Sequence, residues 1–230
     1  MQNEFVSWAV QQGVPIGTVT LILMLPIVVT MIAFFRQVIG IKAFGIYTPA
    51  LIIFAFLAIR SESRSFWGGA KYGIFIFIAV ILIGTLARII LRRFRLLYLP
   101  RVAIVISIVS FLTLLILILS GAFQRTGLAS VSIFPILIMI ALVEKFVTVQ
   151  IEKGDKAAIF LSLETLLISL VGYFLVSWQG LIGFVQQYPL VVLSTLVINI
   201  LLGKWTGLRL TEYFRFKEVW KNAEIFSQKK

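Results

Sequence analysis

The chain has 230 residues, 60% of them hydrophobic and only 13% charged, with a formal net charge of +12 and a mean hydropathy of +1.07. Soluble domains carry about a quarter charged residues, so this composition excludes a water-soluble core and points to an all-α, polytopic helical membrane protein. With no cysteine and no histidine, the chain has no disulfide, thiol nucleophile, Cys/His zinc site, imidazole base or histidine-ligated haem.

In chain order, residues 1–15 form an extracytoplasmic lead-in, expected to lie on the surface through Phe5, Val6, Trp8 and Val10. No basic n-region precedes the first apolar run, which is too long for a signal-peptide core, so no cleavable signal is expected. A helix needs about 20 apolar residues to cross roughly 30 Å of hydrocarbon at about 1.5 Å per residue. Segments 16–35, 72–91, 102–119 and 157–176 meet this with some tilt, and a last span starts near Pro189 and runs to about Trp205. Pro15 suits the start of the first, because the missing N–H would be unpaired there anyway. The apolar runs 49–59 and 135–143 are too short alone. Each is expected to recruit the glycine-containing stretch before it, 38–48 and 128–134, as a broken or re-entrant span; a tilted, proline-kinked helix is the alternative. The expected organisation is thus a seven-helix membrane domain over 16–208 and a basic tail over 209–230. In that tail Tyr213, Phe216, Val219, Trp220 and Ala223 share one helical face beside Lys217 and Lys221, an amphipathic pattern suited to the inner leaflet.

In a soluble protein a charge of +12 would suggest nucleic acid, but here the charges lie between apolar runs and no nucleic-acid partner is expected. With seven spans, the first, third and fifth loops and the tail hold all but four of the 21 Lys and Arg residues. The four are Arg60, Arg64, Lys71 and Arg125. Because positive charge stays in the cytoplasm, the expected location is a bacterial cytoplasmic (inner) membrane, N-terminus outside and C-terminus inside.

Spans 1–3 and 4–6 echo each other. Phe35-Arg36-Gln37, Gly40, and Thr48-Pro49-Ala50-Leu51-Ile52 are matched by Phe123-Gln124-Arg125, Gly127, and Phe134-Pro135-Ile136-Leu137-Ile138. Lys71, Ile74 and Phe75 are matched by Lys156, Ile159 and Phe160. The near-constant offset suggests a 3+3 inverted repeat plus one helix, the arrangement in which transporters place a site at paired interrupted spans.

Glu164 is the only carboxylate well inside an apolar span, and such a group is a functional candidate by default, with Arg88 and Lys42 as candidate partners. Ser162, Thr165, Ser169 and Tyr173 form a separate polar stripe that, like Asn199, reads as helix-to-helix bonding. Arg88, Arg92 and Arg95 share the face of the third helix as it leaves the membrane, with Arg93 in the same loop and Arg101 after Pro100. They suit topology and anionic headgroups, or a docking patch for an acidic cytoplasmic partner. Glu144, Lys145, Glu152, Lys153, Asp155 and Lys156 read as a solvated mixed-charge surface. No metal or cofactor site is expected, because the carboxylates are scattered and no catalytic constellation is visible.

The run Leu25-Pro26 through Arg36-Gln37-Val38-Ile39-Gly40-Ile41-Lys42-Ala43-Phe44-Gly45-Ile46-Tyr47-Thr48-Pro49 resembles a bacterial family. It is the seven-helix membrane domain usually fused to an inactive transglutaminase-like domain. Phe134-Pro135 through Glu144-Lys145-Phe146 and Glu164-Thr165-Leu166 fit the same picture, and the resemblance covers nearly the whole chain. It implies an extracytoplasmic transglutaminase-like domain before the helices, and neighbours that are an ATP-grasp ligase of the glutamate-adding type and a retropepsin-like protease. These 230 residues contain no transglutaminase-like region, so the chain is a stand-alone version or an excised domain. The resemblance favours a non-catalytic scaffold or receptor; the repeat favours a secondary transporter of small peptides or anionic solutes.

Overall fold

Apolar segments of this length leave backbone amides no partner in a bilayer except one another, so they fold as helices. The structure, a computed structural model, describes residues 4–63, 66–94, 97–122 and 132–204, together with Gly207 and Glu212. The described helices are α1 (Glu4–Gln11), α2 (Ile16–Phe34), α3 (Tyr47–Ser63), α4 (Phe66–Leu91), α5 (Tyr98–Ala122), α6 (Ile133–Lys153), α7 (Asp155–Val176), α8 (Gln179–Gln187) and α9 (Ser194–Gly203). A π-helical turn, Phe35–Ile39, prolongs α2, and a 3-10 turn, Pro189–Leu193, leads into α9. Among the described residues, five helices are long and apolar enough to cross a membrane: α2 with its extension, α4, α5, α6 and α7. The shorter α3 is also apolar, and α8 with Pro189–Gly203 forms a pair bent by 99°.

Two compact units divide the chain. The first holds the residues up to Ile46 and those from Leu175 onward; the second is Tyr47–Phe174. In the second unit α3 packs on α4 and α6, and α5 packs on both α4 and α6. Ile52, Phe56 and Ile59 of α3, Val80 of α4, and Met139, Val143 and Phe146 of α6 are fully buried. Close approach depends on small residues, as is common between membrane helices. A Cβ on Gly73 would stand 2.3 Å from the Phe56 ring, and one on Gly69 2.7 Å from the Phe56 carbonyl oxygen. The Phe56 ring meets Tyr173 edge-on, centroids 6.0 Å apart. The opposite faces are apolar and outward: Leu82, Leu86 and Ile90 of α4 and Phe111, Leu114 and Ile118 of α5 are all more than half exposed.

In the first unit α2 packs on α1, α8 and α9. Two polar rungs join it to the C-terminal segment. Gln186 Nε2 donates to Thr20 Oγ1 at 2.8 Å, and Asn199 Nδ2 donates to Thr30 Oγ1 at 2.8 Å. Each threonine hydroxyl in turn donates to a carbonyl four residues back, Ile16 or Pro26. Asn199 is thus the interhelical bond expected of it.

Several boundaries differ from expectation. The run 135–143 belongs to one continuous 21-residue helix, α6, that recruits the polar residues after it; residues 128–131 of the stretch expected to join it lie outside the described residues. The segment Glu144–Lys153 stays helical because Phe146, Val147 and Gln150 fall on its buried face, at i, i+1 and i+4 spacing. The run 49–59 likewise extends forward to Ser63, since residues 40–46 are non-helical. Residues 177–188, which fall between the expected spans 157–176 and Pro189 onward, contain α8. In the lead-in, α1 buries only Val6, with Phe5, Trp8 and Val10 exposed. The unit boundaries do not follow the two expected repeat copies, since α2 belongs to the first unit and α3 and α4 to the second. Arg95, Arg125, Gly127 and the amphipathic tail lie outside the described residues.

Candidate functional site

The segment 36–49 is built by three local devices. The π turn widens the end of α2, and the Phe35 carbonyl accepts from the N–H groups of Gly40 at 3.0 Å and Ile41 at 3.2 Å. Such wide turns recur at functional sites. Gly40 then sits at φ +90° and Gly45 at φ +70°, the left-handed region that costs other residues about 1–2 kcal/mol. Between them Ala43 and Phe44 are buried, and the Gly45 N–H donates to the Ala43 carbonyl at 2.7 Å. Finally Pro49 is the third residue of α3, where its missing N–H breaks no intrahelical bond. These contacts make the segment an ordered structure.

The turn sets Arg36, Gln37 and Lys42 around a cavity of about 530 Å³, with Gly40, Ile41 and Asn199 in its wall. Among the described residues its lining has two cationic side chains and no acidic one. Arg36 is half-buried and Lys42 exposed. Gly45, Thr48 and Pro49 do not line it; the Pro49 carbonyl lies 3.3 Å from Ser169 Oγ, which also donates to Thr165 at 2.8 Å.

In the second unit Arg88 is engaged by Asp155 and not by Glu164. Its Nη1 pairs with Asp155 Oδ1, and its Nη2 donates to the Gln150 carbonyl at 2.8 Å. That carbonyl is in the last turn of α6, so Arg88 caps a helix C-terminus while Asp155 opens α7, each charge matching the local dipole. Arg88, Arg92 and Arg101 share a cavity of about 290 Å³ with Gln150, Gly154 and Asp155. Arg93 is exposed and does not line it. Glu144 is exposed midway along α6, and its carbonyl accepts from Thr148, whose hydroxyl lies 2.7 Å from the Tyr98 hydroxyl. Pro135 is buried in the first turn of α6.

Glu164 is half-buried and lines neither cavity. The neighbouring stripe is a packing face: Ser162, Thr165, Ser169 and Tyr173 are buried, and Ser162 and Thr165 donate to carbonyls of their own helix. Sequence reasoning missed Gln150 and Gly154, which sat inside the mixed-charge run; the spacing of Phe146, Val147 and Gln150 was the available signal. Among the described residues no group of three or more His, Cys, Asp or Glu side chains is placed to hold a metal ion.

No curated protein and no solved structure matches the chain. A model of the family described as seven transmembrane helices usually fused to an inactive transglutaminase matches residues 3–220, and the chain belongs to that family.

Proposed function

We propose that the chain is a non-catalytic membrane scaffold or receptor. It couples an extracytoplasmic transglutaminase-like module to a cytoplasmic peptide-modifying partner of the ATP-grasp ligase type, with a retropepsin-like protease as a second partner. It sits in a bacterial cytoplasmic membrane with its N-terminus outside. The observation that carries this reading is the cationic cavity of Arg36 and Lys42 at the end of α2, on the side that the charge distribution assigns to the cytoplasm. A ligase that adds glutamate makes acidic chains, and a basic end cavity is suited to receive one. Polar groups within the spans support the same reading, because Asn199 and Ser169 are bonded to neighbouring helices. A third cavity, of about 310 Å³, includes Ile27, Met31 and Phe184, and among the described residues no ionisable side chain lines it. That suits an anionic solute poorly and weighs against a transport path through the first unit.

Co-expression with the ligase tests the reading. The ligase should co-purify with the chain in detergent, and Arg36→Glu with Lys42→Glu should abolish this without loss of the membrane-inserted chain. Flux of a labelled acidic dipeptide into proteoliposomes, lost in Glu164→Gln, would instead establish the transporter.

A further inference from the structure

We propose that the second unit carries a phosphate-binding site at the corner between α6 and α7, walled by Arg88, Arg92, Arg101 and Gln150. The site is independent of the scaffold reading. The first observation is an orphaned amide. Gln150 is 1% exposed and lines the cavity, yet neither its Nε2 nor its Oε1 has a hydrogen-bond partner. A buried polar group left unpaired costs about 1–3 kcal/mol, so a side chain held this way calls for a guest.

The second observation is charge. Among the described residues three guanidinium groups and one carboxylate, that of Asp155, line the cavity, so its lining is predominantly positive. Water alone would satisfy the amide but not that charge. A phosphate group answers the charge and the donor side of the amide: its oxygens accept from arginine forks, whose planar donors suit tetrahedral oxyanions, and from Gln150 Nε2, while a water held in the same cavity donates to Oε1. The volume, about 290 Å³, admits a phosphate together with several waters at roughly 30 Å³ each.

The third observation is that the corner is pre-formed. Gly154 has φ +87° and ψ +170°, a backbone region open essentially to glycine alone. It turns the chain from α6 into α7 in one residue. Arg88 is already oriented by Asp155 and by the Gln150 carbonyl. The phosphate has two possible sources, an anionic phospholipid headgroup at this end of the helices or a soluble phosphate compound.

The test uses the full chain in non-ionic detergent. Its melting temperature is followed against inorganic phosphate at constant ionic strength, and separately against phosphatidylglycerol with phosphatidylcholine as reference. A saturable rise is expected in at least one series: with phosphatidylglycerol only, the source is a headgroup; with inorganic phosphate, a soluble compound suffices. Gln150→Leu and Arg101→Gln should each weaken the apparent affinity by roughly tenfold or more, the loss of one hydrogen bond to a charged group. Lys145→Gln, which removes an equal charge outside the cavity, should not. Gln150→Leu exchanges an unpaired amide for an apolar group of similar size and should fold; Gln150→Glu, which faces the phosphate with a carboxylate, gives a second reading of the same contact. No saturable rise in either series, or Gln150 variants that bind like the parent chain, would overturn the site.

Discussion

At the residue scale, glycine does two different jobs here. Gly40, Gly45 and Gly154 are needed for backbone angle: no neighbour lies within 4 Å of a Cβ built on Gly45 or Gly154, yet each of the three has a positive φ. Gly73 is needed for space, because its Cβ would meet the fully buried Phe56 ring, itself held against Tyr173. The two roles predict different mutational behaviour. Gly45→Val should lower the melting temperature and open the Arg36–Lys42 cavity by releasing the turn, whereas Gly183→Ala, with open space and no positive φ, should not. Gly73→Ala should cost about 1–3 kcal/mol, the usual penalty for overpacking. Restoring room with Phe56→Leu should recover part of that loss, and no recovery in the double variant would mean that Phe56 is not the obstacle.

At the scale of the element, the polar rungs decide how α2 meets the C-terminal segment. Thr20 pairs with Gln186 and Thr30 with Asn199, ten residues apart on one side and thirteen on the other, in ascending order. A double-mutant cycle on Asn199→Leu and Thr30→Val should give a coupling of about 0.6 kcal/mol, the typical value for a hydrogen bond between membrane helices. A coupling indistinguishable from zero would mean that this rung carries no weight. Much of this level was legible in the sequence. Apolar length marked α2, α4, α5 and α7, and Pro49 and Pro135 marked the first turns of α3 and α6. Asn199 was read correctly because a lone amide in an apolar helix has few alternatives to a neighbouring helix. What escaped were segments whose helicity comes from packing. The nine residues of α8 are too few and too polar to register as a span, and the second half of α6 looked like a charged loop because Glu144, Lys145, Glu152 and Lys153 hide the buried face of Phe146, Val147 and Gln150. The cavities were legible only as ingredients: Arg36, Lys42, Arg88, Arg92 and Arg101 stood out by charge, while Gln150 had no mark of its own until its burial was visible. The π turn has no signature beyond Gly40 that separates it from an ordinary helix end.

For the whole molecule, two within-unit observations bear on the number of crossings. In the first unit the rungs ascend together, Thr20 with Gln186 of α8 and Thr30 with Asn199 of α9, so the chain from α8 into α9 advances in the same direction as α2. In the second unit, the Arg88–Asp155 pair and the cavity around it bring the α4–α5 and α6–α7 connections to the same end, so α4 and α6 are parallel as well. The α3–α4 connection is short, Ser63 to Phe66, which makes those two helices antiparallel. Pro49 and Pro135 therefore begin helices at opposite ends of the second unit, as an inverted pair requires. All three relations agree with alternating crossings by α2, α3, α4, α5, α6, α7 and the last segment. Together with the charge bias, they predict which residues face which compartment. These 230 residues contain no cysteine, so single-cysteine variants of them can be labelled without background. Gln12→Cys and Gln179→Cys should react with an impermeant maleimide on intact spheroplasts, and Arg93→Cys and Lys153→Cys only after permeabilisation; all four positions are exposed. Arg93 and Lys153 labelled from opposite sides would break the agreement within the second unit. Gln12 and Arg93 labelled from the same side would overturn the seven-crossing topology, and with it the cytoplasmic position of the Arg36–Lys42 cavity.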